Sequence, residues 1–222
     1  MNYKLGILGG MGPDATCDIY QRIINHTEAK CDQDHIKMVI LNNSDIPDRT
    51  KALLENGLNP LPFINEGIKD LINLGCKYYI IPCNTAHAYA DKFIQDDRIE
   101  FINMIKETEK ELSLNYNNKK ICILCTNGTR YSKVYENNSL NINYPANQDK
   151  VMSVVTNTKA GLDVLKDLQE VIKEEEDKYD VFLLACTELS LYKDKIKTKK
   201  IVLDAVDILV KASIIKCGKK YI

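Results

Sequence analysis

The sequence carries no surplus of charge, no long apolar run and none of the glycine fingerprints that cradle nucleotides. Thirty basic residues against thirty-one acidic ones leave a formal charge of -1. A nucleic-acid binder needs a basic excess to displace counterions, so no nucleic-acid partner is expected. No apolar stretch approaches the roughly 20 residues that span a bilayer, and the longest candidates carry Lys or Asp within a turn or two, so no membrane partner is expected either. Residues 5–11 are apolar but too short for a signal-peptide core, and they run into Gly12-Pro13-Asp14 instead of a cleavage site. Gly9-Gly10-Met11-Gly12 has neither G-x-G-x-x-G spacing nor the Gly-Lys-Ser/Thr of a P-loop.

What is present is the composition of an ordinary folded protein, 45% hydrophobic and 27% charged, which excludes disorder and collagen. A chain of 222 residues buries about 70% of its unfolded surface and needs no disulfide or metal staple. Its eight cysteines, without a secretion signal, are therefore expected to be reduced thiols in a cytoplasmic protein. Their positions matter more than their number.

Residues 4–8 form a short β-type run, and Gly9-Gly10-Met11-Gly12-Pro13 is a turn cluster with Pro placed to open a helix. The stripe Ile19, Ile23, Ile24 predicts that helix over 14–30. A strand at 36–41, a polar loop at 42–50, a helix at 61–74 ended by Gly75 and a strand at 78–81 follow. Strand, helix, strand, helix is the pattern of a parallel α/β sheet. The Asn-rich segment 115–120 is the expected loop before a second half. There the pattern restarts, with a strand at 120–124, a turn at 125–129, a helix at 131–135, a strand at 151–155, a helix at 162–175 and a strand at 181–184. Lys4, Ile7, Leu8 and Gly12 recur at one constant spacing as Lys120, Ile123, Leu124 and Gly128, and Ile80-Ile81-Pro82-Cys83 is similar to Leu183-Leu184-Ala185-Cys186. Either an internal duplication or the small vocabulary of buried strands accounts for these matches.

In an open parallel sheet, ligands bind beyond the carboxyl ends of the strands. Cys83 and Cys186 both stand there, each directly after apolar strand residues and each opening a polar run, Asn84-Thr85-Ala86-His87 and Thr187-Glu188-Leu189-Ser190. The N-terminus of a following helix favours thiolate over the ordinary pKa of about 8.5. Either cysteine alone reads equally as a buried packing residue; a pair in matching positions points to chemistry. Two thiols facing each other across a cleft can invert a carbon acid. One thiolate removes a proton, and the other thiol returns one on the opposite face, provided each is equally able as acid and base.

Gly9-Gly10-Met11-Gly12-Pro13-Asp14-Ala15-Thr16, Pro82-Cys83-Asn84-Thr85-Ala86-His87 and Cys186-Thr187-Glu188-Leu189 closely resemble the three signature segments of the cofactor-independent aspartate/glutamate racemases, on the aspartate racemase side of that family. The resemblance runs in order through essentially the whole chain. It implies two pseudo-symmetric α/β domains with mainly parallel sheets and an active site in the cleft between them. Residues 1–100 with the returning chain end 206–222 would form the first domain and 101–205 the second. It further implies that Cys83 and Cys186 are the acid/base pair, that Arg49 meets a substrate carboxylate and that Lys159 meets the side-chain carboxylate. Thr126 and Thr129 would offer hydroxyls and amides, the backbone at Met11, Gly12, Asn84, Thr85 and Thr187 would stabilise developing negative charge, and Glu188 would also bind the substrate. The implied substrate is an amino acid, aspartate before glutamate, handled without pyridoxal phosphate or metal by a homodimer.

Glutamate racemases carry an acidic residue in the first glycine loop and a histidine after the second Cys-Thr; here those places are glycine-rich and Glu188. The rival readings are a broad-specificity amino-acid racemase with the same thiols and a non-catalytic amino-acid-binding relative. Cys122 and Cys125 form a Cys-x-x-Cys, but an offset of three on a strand puts them on opposite faces, and no second pair completes a zinc set, so they are expected to be packing residues. His87, one helical turn beyond Cys83, either tunes that thiol or makes a helix-start hydrogen bond.

Overall fold

The structure is a computed structural model that describes residues 3–137 and 139–222. Its first half runs β1 (Leu5–Gly9), α1 (Pro13–His26), β2 (Met38–Asn42), α2 (Arg49–Leu54), α3 (Leu61–Asn73), β3 (Tyr78–Ile80), a 3-10 helix over Asn84–Lys92 and β4 (Glu100–Phe101). The second runs α4 (Met104–Asn115), β5 (Lys120–Cys125), α5 (Asn127–Ser132), β6 (Asn141–Asn143), α6 (Gln148–Lys159), α7 (Leu165–Glu175), β7 (Val181–Ala185), α8 (Thr187–Ser190), β8 (Ile201–Asp204) and α9 (Ala205–Lys216). Among the described residues each half builds one four-stranded sheet, in the orders β2-β1-β3-β4 and β6-β5-β7-β8, and every strand pair within them is parallel. The orders are the same, which bears out the paired α/β halves expected from the sequence.

Strand side chains alternate between faces, and the two sheets use that alternation in the same way. Leu5 and Ile7 of β1, Ile121, Ile123 and Cys125 of β5, and Val181 and Leu183 of β7 enter one central core with α1, α4 and α9. Leu8 faces outward onto α3, while Cys122, Leu124, Phe182 and Leu184 face outward onto α6 and α7. Cys122 and Cys125 thus occupy different cores, as their spacing requires, and burial pushes Cys125 up to about 12 and Cys122 higher still. All eight cysteines are unpaired. The chain end pairs beside α1, where Ile222 N donates to His26 O at 2.9 Å.

The glycine loop after β1 is held by close approach. Gly10 has φ +90, and a Cβ there would lie 2.3 Å from the carbonyl of Asn43, so only glycine fits. Pro13 opens α1 directly behind it.

Four expected elements are corrected. Residues 151–155 are not a strand but part of α6: Val151, Val154, Val155 and Thr158 recur at helical spacing and are buried, with Asn147 capping the helix by accepting from Lys150 N. The strand beside β5 is instead β6, inside the Asn-rich region. The helix expected at 131–135 begins earlier, as α5, because the Thr126 side chain caps it by accepting from Thr129 N; Lys133, at φ 58, ends it. The polar loop at 42–50 gives way to α2 at Arg49, capped by Asp48. Neither strand-end cysteine opens a long α-helix: a 3-10 helix follows Cys83, and the α8 that Cys186 caps is a single turn of four residues.

No described helix is long and apolar enough to cross a membrane.

Candidate active site

Loops after β1, β3, β5 and β7, all at strand carboxyl ends, converge on one narrow cleft between the halves. It is lined by Met11, Asp48, Arg49, Thr50, Cys83, Asn84, Thr85, Thr126, Lys159, Ala185, Cys186, Thr187 and Glu188. Its free space is about 20 Å³, the room of about one water. A larger cavity of about 310 Å³ adjoins it along the glycine loop, lined by Gly10, Gly12, Ser44 and Thr158 among others, and shares Met11, Asp48, Arg49, Lys159 and Glu188 with the cleft. Of the residues singled out from sequence, Gly12 therefore lines the adjoining cavity, and Thr129 lies behind the wall.

Both thiols are buried. The Cys186 thiol donates to Glu188 Oε2 at 3.0 Å, and Thr187 Oγ1 donates to the same oxygen at 3.3 Å. Burial first, then the charge and hydrogen bond of Glu188, push Cys186 well above the usual thiol range, with Lys159 pulling weakly the other way. This corrects the expectation that a helix start would favour its thiolate. The surroundings of Cys186 thus favour its thiol form over the thiolate. His87 does not reach the Cys83 thiol: its Nδ1 bonds the Cys83 carbonyl at 2.9 Å, and its Nε2 accepts from Met104 N at 3.3 Å. Burial lowers it to about 4, so the ring is neutral and braces the backbone.

A hydroxyl triangle joins the halves beneath the cleft. Thr85 Oγ1 lies 2.9 Å from both Thr126 Oγ1 and Thr129 Oγ1, and those two are 3.1 Å apart. Tyr135, from the second half, donates to Asn84 Oδ1 at 2.5 Å, which fixes that amide. The Arg49 guanidinium is buried and held by main chain alone: Nη1 donates to the carbonyls of Ile46 and Pro47, and Nη2 to that of Met11 at 3.0 Å. Lys159, half-exposed at the end of α6, has Nζ 3.7 Å from Glu188 Oε1. Burial would lower the Lys159 ammonium, but the opposing charge of Glu188 above all outweighs it and holds the pKa above the ordinary lysine value.

Among the described residues, three buried polar atoms of the cleft find no hydrogen-bond partner: Arg49 Nε, Asn84 Nδ2 and Glu188 Oε1. Orphaned groups of this kind are costly and mark where a ligand would bond. Two are donors and one is an acceptor, the complement of a molecule carrying both carboxylate and ammonium. Among the described residues no three His, Cys, Asp or Glu side chains converge as metal ligands.

Asp48 and Thr50 also line the cleft and were not singled out from sequence. Asp48 caps α2 by accepting from Lys51 N at 2.8 Å. Burial opposes its charge, but that N–H and the nearby Lys159 and Arg49 keep its pKa below the ordinary value. The available signal was an Asp at the start of a helix in the segment that supplies Arg49.

Two parallel sheets of the same order, with a thiol from beyond a strand end of each lining one cleft, define a paired α/β protein. The chain belongs to the Asp/Glu/hydantoin racemase family, which it matches over residues 8–213. It is similar in structure to the aspartate racemase of Picrophilus torridus, with a TM-score of 0.88 and 33% identity over 99% of this chain and 96% of that one. In sequence it is similar to the broad specificity amino-acid racemase RacX of Bacillus subtilis (strain 168), 25% identical over 222 residues, which are 95% of this chain and 96% of the other. An aspartate racemase homologue from Pyrococcus horikoshii OT3 shares the fold at a TM-score of 0.73 and 18% identity, covering 97% of this chain and 99% of that one. The family and fold expected from the three motifs are borne out.

Proposed function

We propose that this protein is an amino-acid racemase that works without pyridoxal phosphate, acts best on aspartate, and inverts the α-carbon with Cys83 and Cys186 as its two acid/base groups. The observation that carries the reading is the pair of buried thiols, from equivalent strand ends of the two halves, lining one cleft whose unpaired atoms complement an amino acid. Cys186, protonated against Glu188, is the resting acid, which leaves Cys83 as the first base. One enantiomer then gives its α-proton to Cys83 and takes another from Cys186. The reverse reaction exchanges the roles. Arg49 Nε and Asn84 Nδ2 are donors for the α-carboxylate, where charge develops as the proton leaves. Lys159 at the rim suits a second carboxylate, and similarity to the Picrophilus enzyme supports aspartate.

A broad-specificity racemase is the second reading, and one observation favours it. Both cations are already engaged, Arg49 by three carbonyls and Lys159 by Glu188, so their pull on a dicarboxylate is reduced.

Purified protein incubated with a panel of amino acids in deuterated water, read by chiral chromatography and mass, tests both. Aspartate should racemise fastest and carry solvent deuterium at the α-carbon. Faster turnover of methionine or homoserine would give the case to broad specificity. Cys83→Ala and Cys186→Ala should each lose about 10²- to 10⁴-fold in racemisation. Each should still exchange the α-proton of one enantiomer, and the two should prefer opposite enantiomers. The same preference in both variants, or near-normal racemisation in either, overturns the two-thiol mechanism.

A further inference from the structure

Away from the cleft, one charge cluster ties elements of both halves together. Arg22 of α1 sends Nη1 to Asp204 Oδ2 at 2.8 Å and Asp207 Oδ1 at 2.6 Å, Nη2 to the carbonyl of Ser190 at 2.7 Å, and Nε to Asp18 Oδ2 at 2.8 Å. Asp204, whose side chain is wholly buried, also accepts from Ser190 Oγ at 2.7 Å and from Val206 N at 2.9 Å. All three guanidinium nitrogens and both carboxylate oxygens are engaged. A buried pair of this kind is a weak source of stability, because desolvating the charges offsets most of their attraction. It does fix position, since each bond has a direction and none can be lost without leaving a buried charge unpaired.

The position it fixes is that of α8. This single turn follows directly on Cys186 and ends at Ser190, and its far end is gripped twice, through the Ser190 carbonyl by Arg22 and through the hydroxyl by Asp204. Its near end carries the thiol and Glu188. From Arg22, α1 runs back about 15 Å to Gly12, where Glu188 Oε1 lies 3.7 Å from the place a Cβ would occupy. The short helix is therefore held against α1 at one end and faces the glycine loop at the other.

We infer that Arg22 and Asp204 are positioning residues that lock α8 to α1 and thereby set Cys186 and Glu188 against the first half of the cleft. Neither touches the cleft. Their effect on turnover rests on the racemase reading above, whereas their effect on the Cys186 thiol does not. Releasing α8 should let solvent reach Cys186 and separate it from Glu188, which lowers its pKa and raises its reactivity. Cys83, three residues beyond β3, shares no hydrogen bond with the cluster among the described residues.

Arg22→Lys, Arg22→Met and Asp204→Asn, alkylated with iodoacetamide and read residue by residue by mass spectrometry, test this with Cys83 as the control in the same molecule. Cys186 should label about tenfold faster than in the unmodified protein, the effect of roughly one unit of thiol pKa, while Cys83 stays within about twofold. Turnover should fall by about 100-fold, as a misplacement near 1 Å produces, with KM nearly unchanged. Arg22→Lys keeps the charge but not the fork, so it answers the question if the Met variant fails to fold. Equal acceleration of both cysteines, or unchanged Cys186 labelling in folded variants, overturns the inference. Selective Cys186 labelling in a protein that racemises nothing would keep the clamp and discard the reaction.

Discussion

At the scale of single residues, the two thiols are not a matched pair. Cys186 and Glu188 stand two residues apart at the start of α8, and the carboxylate both accepts a hydrogen bond from the thiol and repels the thiolate. Glu188→Gln keeps the volume and removes the charge, while burial remains. The Cys186 pKa should then fall part of the way toward the usual thiol range, and its alkylation at a fixed neutral pH should speed by about tenfold for each unit of fall. Unchanged labelling would mean that burial alone holds the proton. The strand-end cysteines were legible because a thiol at an apolar-to-polar junction occurs twice in matching surroundings. Their inequality was not, since a carboxylate two positions away meets the thiol only in the particular turn that α8 adopts. Arg49 was legible as a cation beside the site, but its three carbonyl partners lie in loops whose path no local pattern encodes.

At the scale of elements, strands and glycine turns were readable from β-branched runs and from Gly and Pro, and α6 was not. Its Val151-Met152-Ser153-Val154-Val155 run has strand propensity, and only burial of one helical face against β5 and α7 decides the matter. The junction of β8 and α9 carries a pH signature. Asp204 is pushed up to about 6 by burial, then by the charge of Asp207, against the pull of Arg22, Ser190 Oγ and Val206 N. Lys193 reaches the site through Asp207, and the buried Tyr135 hydroxyl also senses its charge. A folded carboxyl above its unfolded value of 3.8 binds its proton more tightly when folded. Its contribution to stability is therefore greatest at low pH and declines as pH rises from about 4 to about 6. Asp204→Asn should flatten that part of the curve: in urea unfolding, stability relative to the variant should fall over this window and level off above it. A constant difference across the window would show that Asp204 is already ionised at its lower edge.

At the scale of the whole molecule, the halves share a central core and are stitched by the threonine triangle, the Tyr135–Asn84 bond and the Arg22 cluster. The matching strand segments foretold two like sheets; the stitches, which join residues from 41 to 185 positions apart, have no local signal. The halves also approach closely at Gly128, on the first turn of α5. A methyl there would lie 2.7 Å from Thr50 Oγ1 and Thr85 Cγ2 and 3.0 Å from Thr50 Cα. Thr50 adjoins Arg49 and Thr85 adjoins Asn84, so the intruding group must push α5 away from the wall that holds both. Gly128→Ala gains up to about 1 kcal/mol of helix propensity but should lose more, since overpacking costs about 1–3 kcal/mol. The expected result is a lower melting temperature, a KM for aspartate, the proposed substrate, raised by about tenfold as the proposed carboxylate donors part, and faster alkylation of Cys83 and Cys186 together. That joint response separates a parted cleft from a released α8, in which Cys186 alone responds. If Gly128→Ala leaves both thiols as protected as before, the two halves yield locally at Thr50, and the cleft keeps its width without the close contact.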